Sequence, residues 1–124
     1  PVKRPMPRNL AFEHLFAMPS TRLFRFSAIT FNAHRIHFDL PYAMDVEKYP
    51  GLIVHGPMQA MLLAKAATEH AKMPLSQFQF RGVHPCFQFD DLAICAETQS
   101  EDGRLNMFAG VPRGHQTMQA HASW

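Results

Sequence analysis

The chain predicts an α+β domain: an antiparallel β-sheet wrapped around one long central helix. Two observations carry this expectation. Residues 57–72 are apolar almost all round, with Met58, Ala60, Met61, Leu62, Leu63, Ala64, Ala66, Ala67 and Ala71 interrupted only by Gln59, Lys65, Thr68, Glu69, His70 and Lys72. Such a stretch predicts a helix buried on most sides. After it, short alternating runs are separated by turn residues, which is the pattern of antiparallel strands. Helix against sheet buries both apolar faces. With 124 residues, the chain has enough length for one core and too little for two.

In chain order, residues 1–20 hold Pro1, Pro5, Pro7 and Pro19 with Lys3, Arg4 and Arg8. Proline fixes φ and lacks a backbone donor, so this part reads as a basic arm or linker, with a short helical turn at 10–18. The domain proper is expected over 21–124. Residues 21–29 read as a strand, with Phe24, Phe26 and Ala28 on one face and Arg25 and Ser27 on the other. Residues 41–50 form a loop with helical propensity around 44–48. Pro57 suits a first helical position, where the missing N–H has no intrahelical partner. Residues 76–89 read as a strand broken at His84-Pro85. Leu92, Ile94, Ala96 and Thr98 mark the next strand, and Glu101-Asp102-Gly103 signals a hairpin turn. Residues 104–111 return, Pro112-Arg113-Gly114 turns again, and the last strand points Met118, Ala120, Ala122 and Trp124 inward, with Thr117, Gln119, His121 and Ser123 outward.

Composition narrows the function classes. Hydrophobic residues make up 47% and charged residues 18%, which is globular and not disordered. No apolar run reaches the ~20 residues a membrane span needs. The start of the chain shows no apolar signal core, and two cysteines, Cys86 and Cys95, have no metal or redox spacing, so a reducing cytoplasm is expected. The formal charge is +2 and no basic run exceeds two residues, which argues against a nucleic-acid stripe.

Candidate chemistry gathers in two places. Residues 30–39 hold Asn32, His34, Arg35, His37 and Asp39, with Phe31, Ile36 and Phe38 between them. The turn His55-Gly56-Pro57 opens the apolar helix, and the two features are expected to face each other. Together they resemble the MaoC-like, R-specific enoyl-CoA hydratases of the hot-dog fold. That family's signature, Gly-Asp-x-Asn-Pro-(apolar)-His-x-Asp, lies over residues 31–39. The variant here, Phe-Asn-x-His-Arg-Ile-His-(aromatic)-Asp with Tyr-Pro-Gly-Leu-Ile-Val-His-Gly-Pro, is similar to the mesaconyl-CoA or methylfumaryl-CoA hydratase branch. The likeness covers roughly residues 23–124. It departs at two positions: the family's aspartate falls on Asn32, an amide that takes no proton, and the family's asparagine falls on His34. His37 and Asp39 carry straight across.

The resemblance implies a hydratase or dehydratase acting on a short branched or dicarboxylic enoyl-CoA, with coenzyme A as part of the substrate and no separate cofactor. His37 is the acid/base candidate, since imidazole titrates near ~6.5. His34 is placed to share the proton, and Asn32 to orient water or the carbonyl. Asp39 is expected to accept from a histidine ring and set its tautomer. Gly56, at a helix start, suits the developing enolate oxygen. His55 either faces the pocket or satisfies the strand end. Arg35 pairs with a substrate carboxylate, or with Asp39 or Asp45. Lys3, Arg4, Arg22, Arg25 and Arg81 are candidates for the coenzyme A phosphates. A zinc reading of His34, His37, Asp39 and His55 matches no known ligand spacing, so no metal is expected. Hot-dog units pair, which implies a homodimer or one half of a double hot-dog chain. Two other readings remain: a thioesterase on this fold, which usually places a carboxylate on the helix where this chain offers Gln59 and no acid before Glu69, and a non-catalytic acyl-CoA-binding subunit.

Overall fold

The computed structural model describes residues 2–98 and 102–124. One five-stranded antiparallel sheet, in the order β1-β3-β4-β5-β2, wraps a single long helix. This is the expected α+β architecture. The helix α2, Gly56–Ala71, lies within a residue of its expected span. Met58, Gln59, Ala60, Leu63, Ala66 and Ala67 form its buried face, and Lys72 closes it in the left-handed region at φ 60°. The helix is not buried all round: Met61 is 61% exposed, so one face lies outside the sheet's wrap. Leu63, Leu92, Ile94, Leu105 and Met107 fill the space between helix and sheet with no solvent contact. Truncating one such leucine to alanine typically costs about 2–5 kcal/mol.

The strands after the helix also form where alternation places them: β2 Gln77–Gly82, β3 Leu92–Glu97, β4 Arg104–Gly110 and β5 Gln116–Ser123. β3, β4 and β5 are a meander, whereas β2 pairs with β5, so β2 is an edge strand. Its pairing ends at Gly82, just ahead of the expected break at His84-Pro85. Glu101 of the expected hairpin turn lies outside the described residues. Gly103, with φ 78°, leads into β4. Thr117, expected to face outward, is 1% exposed because its hydroxyl donates to the Gln59 side-chain carbonyl at 2.7 Å, a polar partner on the helix itself.

Two early elements are exchanged relative to expectation. Residues 10–18 do not form a helical turn. Instead Leu10–Phe16 is β1, the other sheet edge, antiparallel to β3. After a register shift between Leu10 and Phe12, Phe12, His14 and Phe16 share one face by the two-residue period, and Phe12 and Phe16 pack on the core. Residues 21–29 form no strand. Ser20–Ile29 is a helix, α1. Its buried residues, Leu23 and Ser27, are four apart, while Phe24 is 59% exposed. The apparent alternation of Phe24, Phe26 and Ala28 is therefore not what is buried. Residues 4–6, expected in a free arm, are bonded to the sheet: Gln116 donates from its backbone to Arg4 and from its side chain to Pro5, and Met6 N–H reaches Gly114.

These contacts close over a bulge between Ala109 and Gly110. A Cβ at Gly110 would run into the His115 carbonyl oxygen and lie within 2.6 Å of Met6 Sδ, whereas nothing lies within 4 Å of one at Gly82. Gly110→Ala is expected to lower unfolding stability by ~1–3 kcal/mol in urea titration, with Gly82→Ala within ~0.5 kcal/mol of wild type. Equal effects of the two changes would contradict this account of the bulge.

Candidate active site

The site begins with the way α1 ends. Thr30 N–H and hydroxyl both reach the Phe26 carbonyl, at 3.0 and 2.6 Å. Phe31 takes a left-handed φ of 53°. Phe31 N–H then returns to the Ala28 carbonyl and Asn32 N–H to the Ser27 carbonyl, at 3.3 and 2.9 Å. This is a Schellman closure with phenylalanine where glycine is usual. It sets Asn32 under the helix end, where its side-chain oxygen accepts from His34 N–H at 3.1 Å. A single 3-10 turn, Arg35–His37, follows and swings His37 inward.

His37 is 7% exposed and its Nδ1 donates to the Ile53 carbonyl at 2.7 Å. With Nδ1 carrying the proton, Nε2 carries the lone pair. His55, the residue before α2, is fully buried and stacks on His37, with ring centroids 3.8 Å apart and planes 16° from parallel. Its Nε2 is 2.7 Å from Ser27 Oγ, and Phe26 packs edge-on against its ring at 4.8 Å. Its Nδ1 is buried without a hydrogen-bond partner. His34 is exposed, with its ring 6.0 Å from His37. Burial pushes the His37 ring below the ordinary imidazole range, with His34 adding to this and the Ile53 carbonyl opposing it. Burial, with His37 beside it, pushes His55 down to about 4.

Arg35 and Asp39 are taken up with each other. The guanidinium donates from Nε and Nη2 to one Asp39 oxygen, at 3.0 and 2.9 Å, and lies 4.2 Å over the Tyr42 ring. The second Asp39 oxygen accepts Tyr42 N–H at 3.1 Å, and this bond, with Arg35, holds the carboxyl below the usual range. Asp39 therefore does not orient a histidine: the Ile53 carbonyl fills that place. The structure thus brings His37 and His55 together just ahead of α2, places Asn32 beside Ser27 at the end of α1, and leaves Arg35 and Asp39 as a clamp on the loop's outer side. Ser27 and the Ile53 carbonyl were not legible as site groups. The one signal for Ser27 was its four-residue spacing from Leu23.

Gly56 heads α2, followed by Pro57, which has no N–H to offer. Among the described residues its N–H has no backbone acceptor outside the helix. A Cβ there would meet only Met118 Cε, at 3.9 Å, an ordinary contact, so packing does not demand glycine at this position. Two openings flank α1. An apolar hollow of about 350 Å³ is lined by Phe24, Ser27, Phe31, Asn32 and Phe38. A groove of about 530 Å³ between α1 and α2 is lined by Arg22, Arg25, Phe26, Met58 and Met61. Of the other phosphate candidates, Arg81 is bonded to Gln119 on the β2 edge. No group of three or more His, Cys, Asp or Glu side chains among the described residues is arranged to hold a metal, and no described helix is long and apolar enough to cross a membrane.

Folded His55 and His37 bind protons less readily than in the unfolded chain. Their contribution to stability is therefore complete above ~6.5, the unfolded value, and is lost as pH falls through the folded value. For His55 alone this amounts to roughly 2–3 kcal/mol by pH ~4.5. Thermal unfolding is expected to show a falling midpoint between pH ~7 and ~4.5, and the slope is expected to flatten in His55→Phe. An equal slope in the variant would mean that other groups carry it.

The family model for hydroxyacyl-thioester dehydratase type 2 matches residues 1–88. Mesaconyl-C(4)-CoA hydratase of Chloroflexus aurantiacus is 42% identical over 97% of this chain and 44% of its own length. The mitochondrial hydroxyacyl-thioester dehydratase type 2 of Schizosaccharomyces pombe is 33% identical over 73% of this chain and 30% of its own. The chain thus spans less than half the length of these relatives. Among solved structures, the (R)-hydratase from A. caviae involved in PHA biosynthesis superposes with a TM-score of 0.71 at 15% identity, covering 93% of this chain and 94% of that one. The fold is the hot-dog fold, and the chain belongs to the hydroxyacyl-thioester dehydratase type 2 family.

Proposed function

We propose that this chain is a hydro-lyase unit that adds water to, or removes it from, a short branched or dicarboxylic enoyl-CoA. The observation that carries the reading is the fixed tautomer of His37, whose Nδ1 is committed to the Ile53 carbonyl so that Nε2 is the basic atom. In the hydration direction, Nε2 takes a proton from water as the water oxygen bonds to Cβ of the enoyl group. The Cα–Cβ π electrons move through Cα to the thioester oxygen, giving an enolate. The Gly56 N–H, at the positive end of α2, receives that oxygen. The enolate then collapses, and Cα takes a proton from the imidazolium or from His34. The Asn32 amide NH2 holds the water or the thioester, its oxygen being bound to His34. Water and the histidines supply every atom of this sequence, so no separate cofactor enters it.

The likeness to mesaconyl-C(4)-CoA hydratase supports the acyl class. Arg22 and Arg25, in the groove beside the first turn of α2, suit the coenzyme A phosphates. The greater length of the relatives supports a second hot-dog unit beside this one, in a dimer or a longer chain. The unpaired cysteines Cys86 and Cys95 support a cytoplasmic setting. A thioesterase is less well supported: Gln59 is buried against Thr117, and Glu69, near the other end of α2, is paired with Lys65.

Loss of the conjugated enoyl-thioester absorbance, followed with mesaconyl-CoA and crotonyl-CoA, tests the reading. His37→Ala is expected to remain folded and lose ~10²–10⁴ in turnover. Gly56→Ala keeps the N–H but sets a methyl where the thioester would approach, and is expected to melt close to wild type while losing ~10²-fold through displacement of the substrate. Wild-type turnover in His37→Ala, or free thiol release in place of hydration, would overturn the assignment.

A further inference from the structure

Ser27, Phe26 and His55 lie outside the bond-making steps above, yet Ser27 and Phe26 are built tightly around His55, which lies against His37. Ser27 comes from α1 and His55 from the residue before α2, 28 positions later, and their side chains meet at 2.7 Å in a buried contact. His55 has no exposed surface, so it does not touch substrate in this arrangement. What it touches is the face of His37, nearly parallel at 3.8 Å. Phe26 blocks its edge at 4.8 Å. The Ile53 carbonyl fixes one nitrogen of His37 but leaves the ring free to rock about that bond. A flat wall against the ring removes the rocking.

We propose that His55 is a positioning residue: anchored by Ser27 and braced by Phe26, its ring is the wall that holds the His37 imidazole in plane with Nε2 toward the substrate. The proposal rests on His37 being the acid/base group. The wall also keeps water off the His37 face, and water exclusion disfavours the charged ring. The groups against the pair are Ser27 and Phe26 from α1, His34 from the loop and the Ile53 carbonyl, with Gly56 next to His55 in the chain. Of these, His34 is the titratable one, since Arg35 and Asp39 neutralise each other on the outer side.

Two readouts test this on the whole chain: the His37 ring titration by NMR without substrate, and steady-state hydration across pH. In His55→Ala, which opens the wall, the His37 midpoint and the acid limb of kcat both move up toward the ordinary imidazole value. There kcat is expected to fall roughly 10–100-fold with KM within about twofold, the signature of a displaced catalytic group. His55→Phe restores a flat, dry wall without a nitrogen, so the midpoint stays low and most of kcat returns. Ser27→Ala removes only the anchor and gives a smaller loss of the same sign. The proposal fails if folded His55→Ala keeps the wild-type midpoint and kcat. It fails equally if His55→Phe loses as much kcat as His55→Ala with the midpoint low in both, which would assign His55 a direct polar role. Should His55→Ala not fold, wild-type kcat in Ser27→Ala together with a lost kcat in His55→Phe overturns it. If the wild type hydrates no enoyl thioester while the NMR shifts follow this pattern, the hydratase reading fails and the wall stands.

Discussion

The three extended residues 52–54 are the constraint on which the site depends. Along this segment the backbone bonds alternately to either side. Leu52 and Val54 bond outward, Leu52 accepting from Gln88 N–H at 2.9 Å and Val54 donating to Cys86 at 2.7 Å. Ile53 bonds the other way, donating to the Ile36 carbonyl at 3.0 Å and accepting from His37 Nδ1 at 2.7 Å. The histidine ring thus occupies the place that a backbone N–H would hold in a continued ladder. Its tautomer is set by strand geometry rather than by a carboxylate, with Asp39 taken up by Arg35 and Tyr42. A carbonyl orients the ring without adding a negative charge, and so does less than an aspartate would to stabilise an imidazolium.

The same segment delivers His55 and Gly56 to the head of α2, so one short stretch fixes the His37 ring and the start of the helix together. The rest of the sheet makes that stretch rigid. Residues 86–88, which hold its outer side, lead into β3, every residue of which except Glu97 is buried. Packing alone does not require glycine at position 56, since its surroundings leave ordinary space for a Cβ.

Legibility in the sequence followed how local each signal was. α2 and the three meander strands were readable because their apolar periods repeat over several turns or residues and agree with their tertiary faces. α1 and β1 were misread because their exposed apolar residues confuse the pattern: Phe24 and Ile29 on α1 and Leu15 on β1 face outward. At the site, the meeting of the residue 30–39 loop with the turn before α2 was legible from residue type and spacing, and the His37 and His55 rings do stack there. The Ile53 carbonyl was not, because every residue has one. Ser27 was not, because its partner lies 28 residues away and a serine inside a stretch read as a strand carries no mark of burial.

The Schellman closure at Phe31 has a consequence for how the molecule breathes. α1 buries only Leu23 and Ser27 fully, and it ends in a phenylalanine that is 94% exposed at a left-handed φ. A helix with so little buried surface and a strained terminus belongs among the first units to open in native-state fluctuations. When it lifts, Ser27 leaves His55, and a ring kept uncharged by dryness becomes wet and free to take a proton. Protonation in that open form holds α1 away, since the charged ring resists returning to its slot. Acid would thus capture such an opening, and the loop of residues 32–39 that follows α1 would be carried along with it.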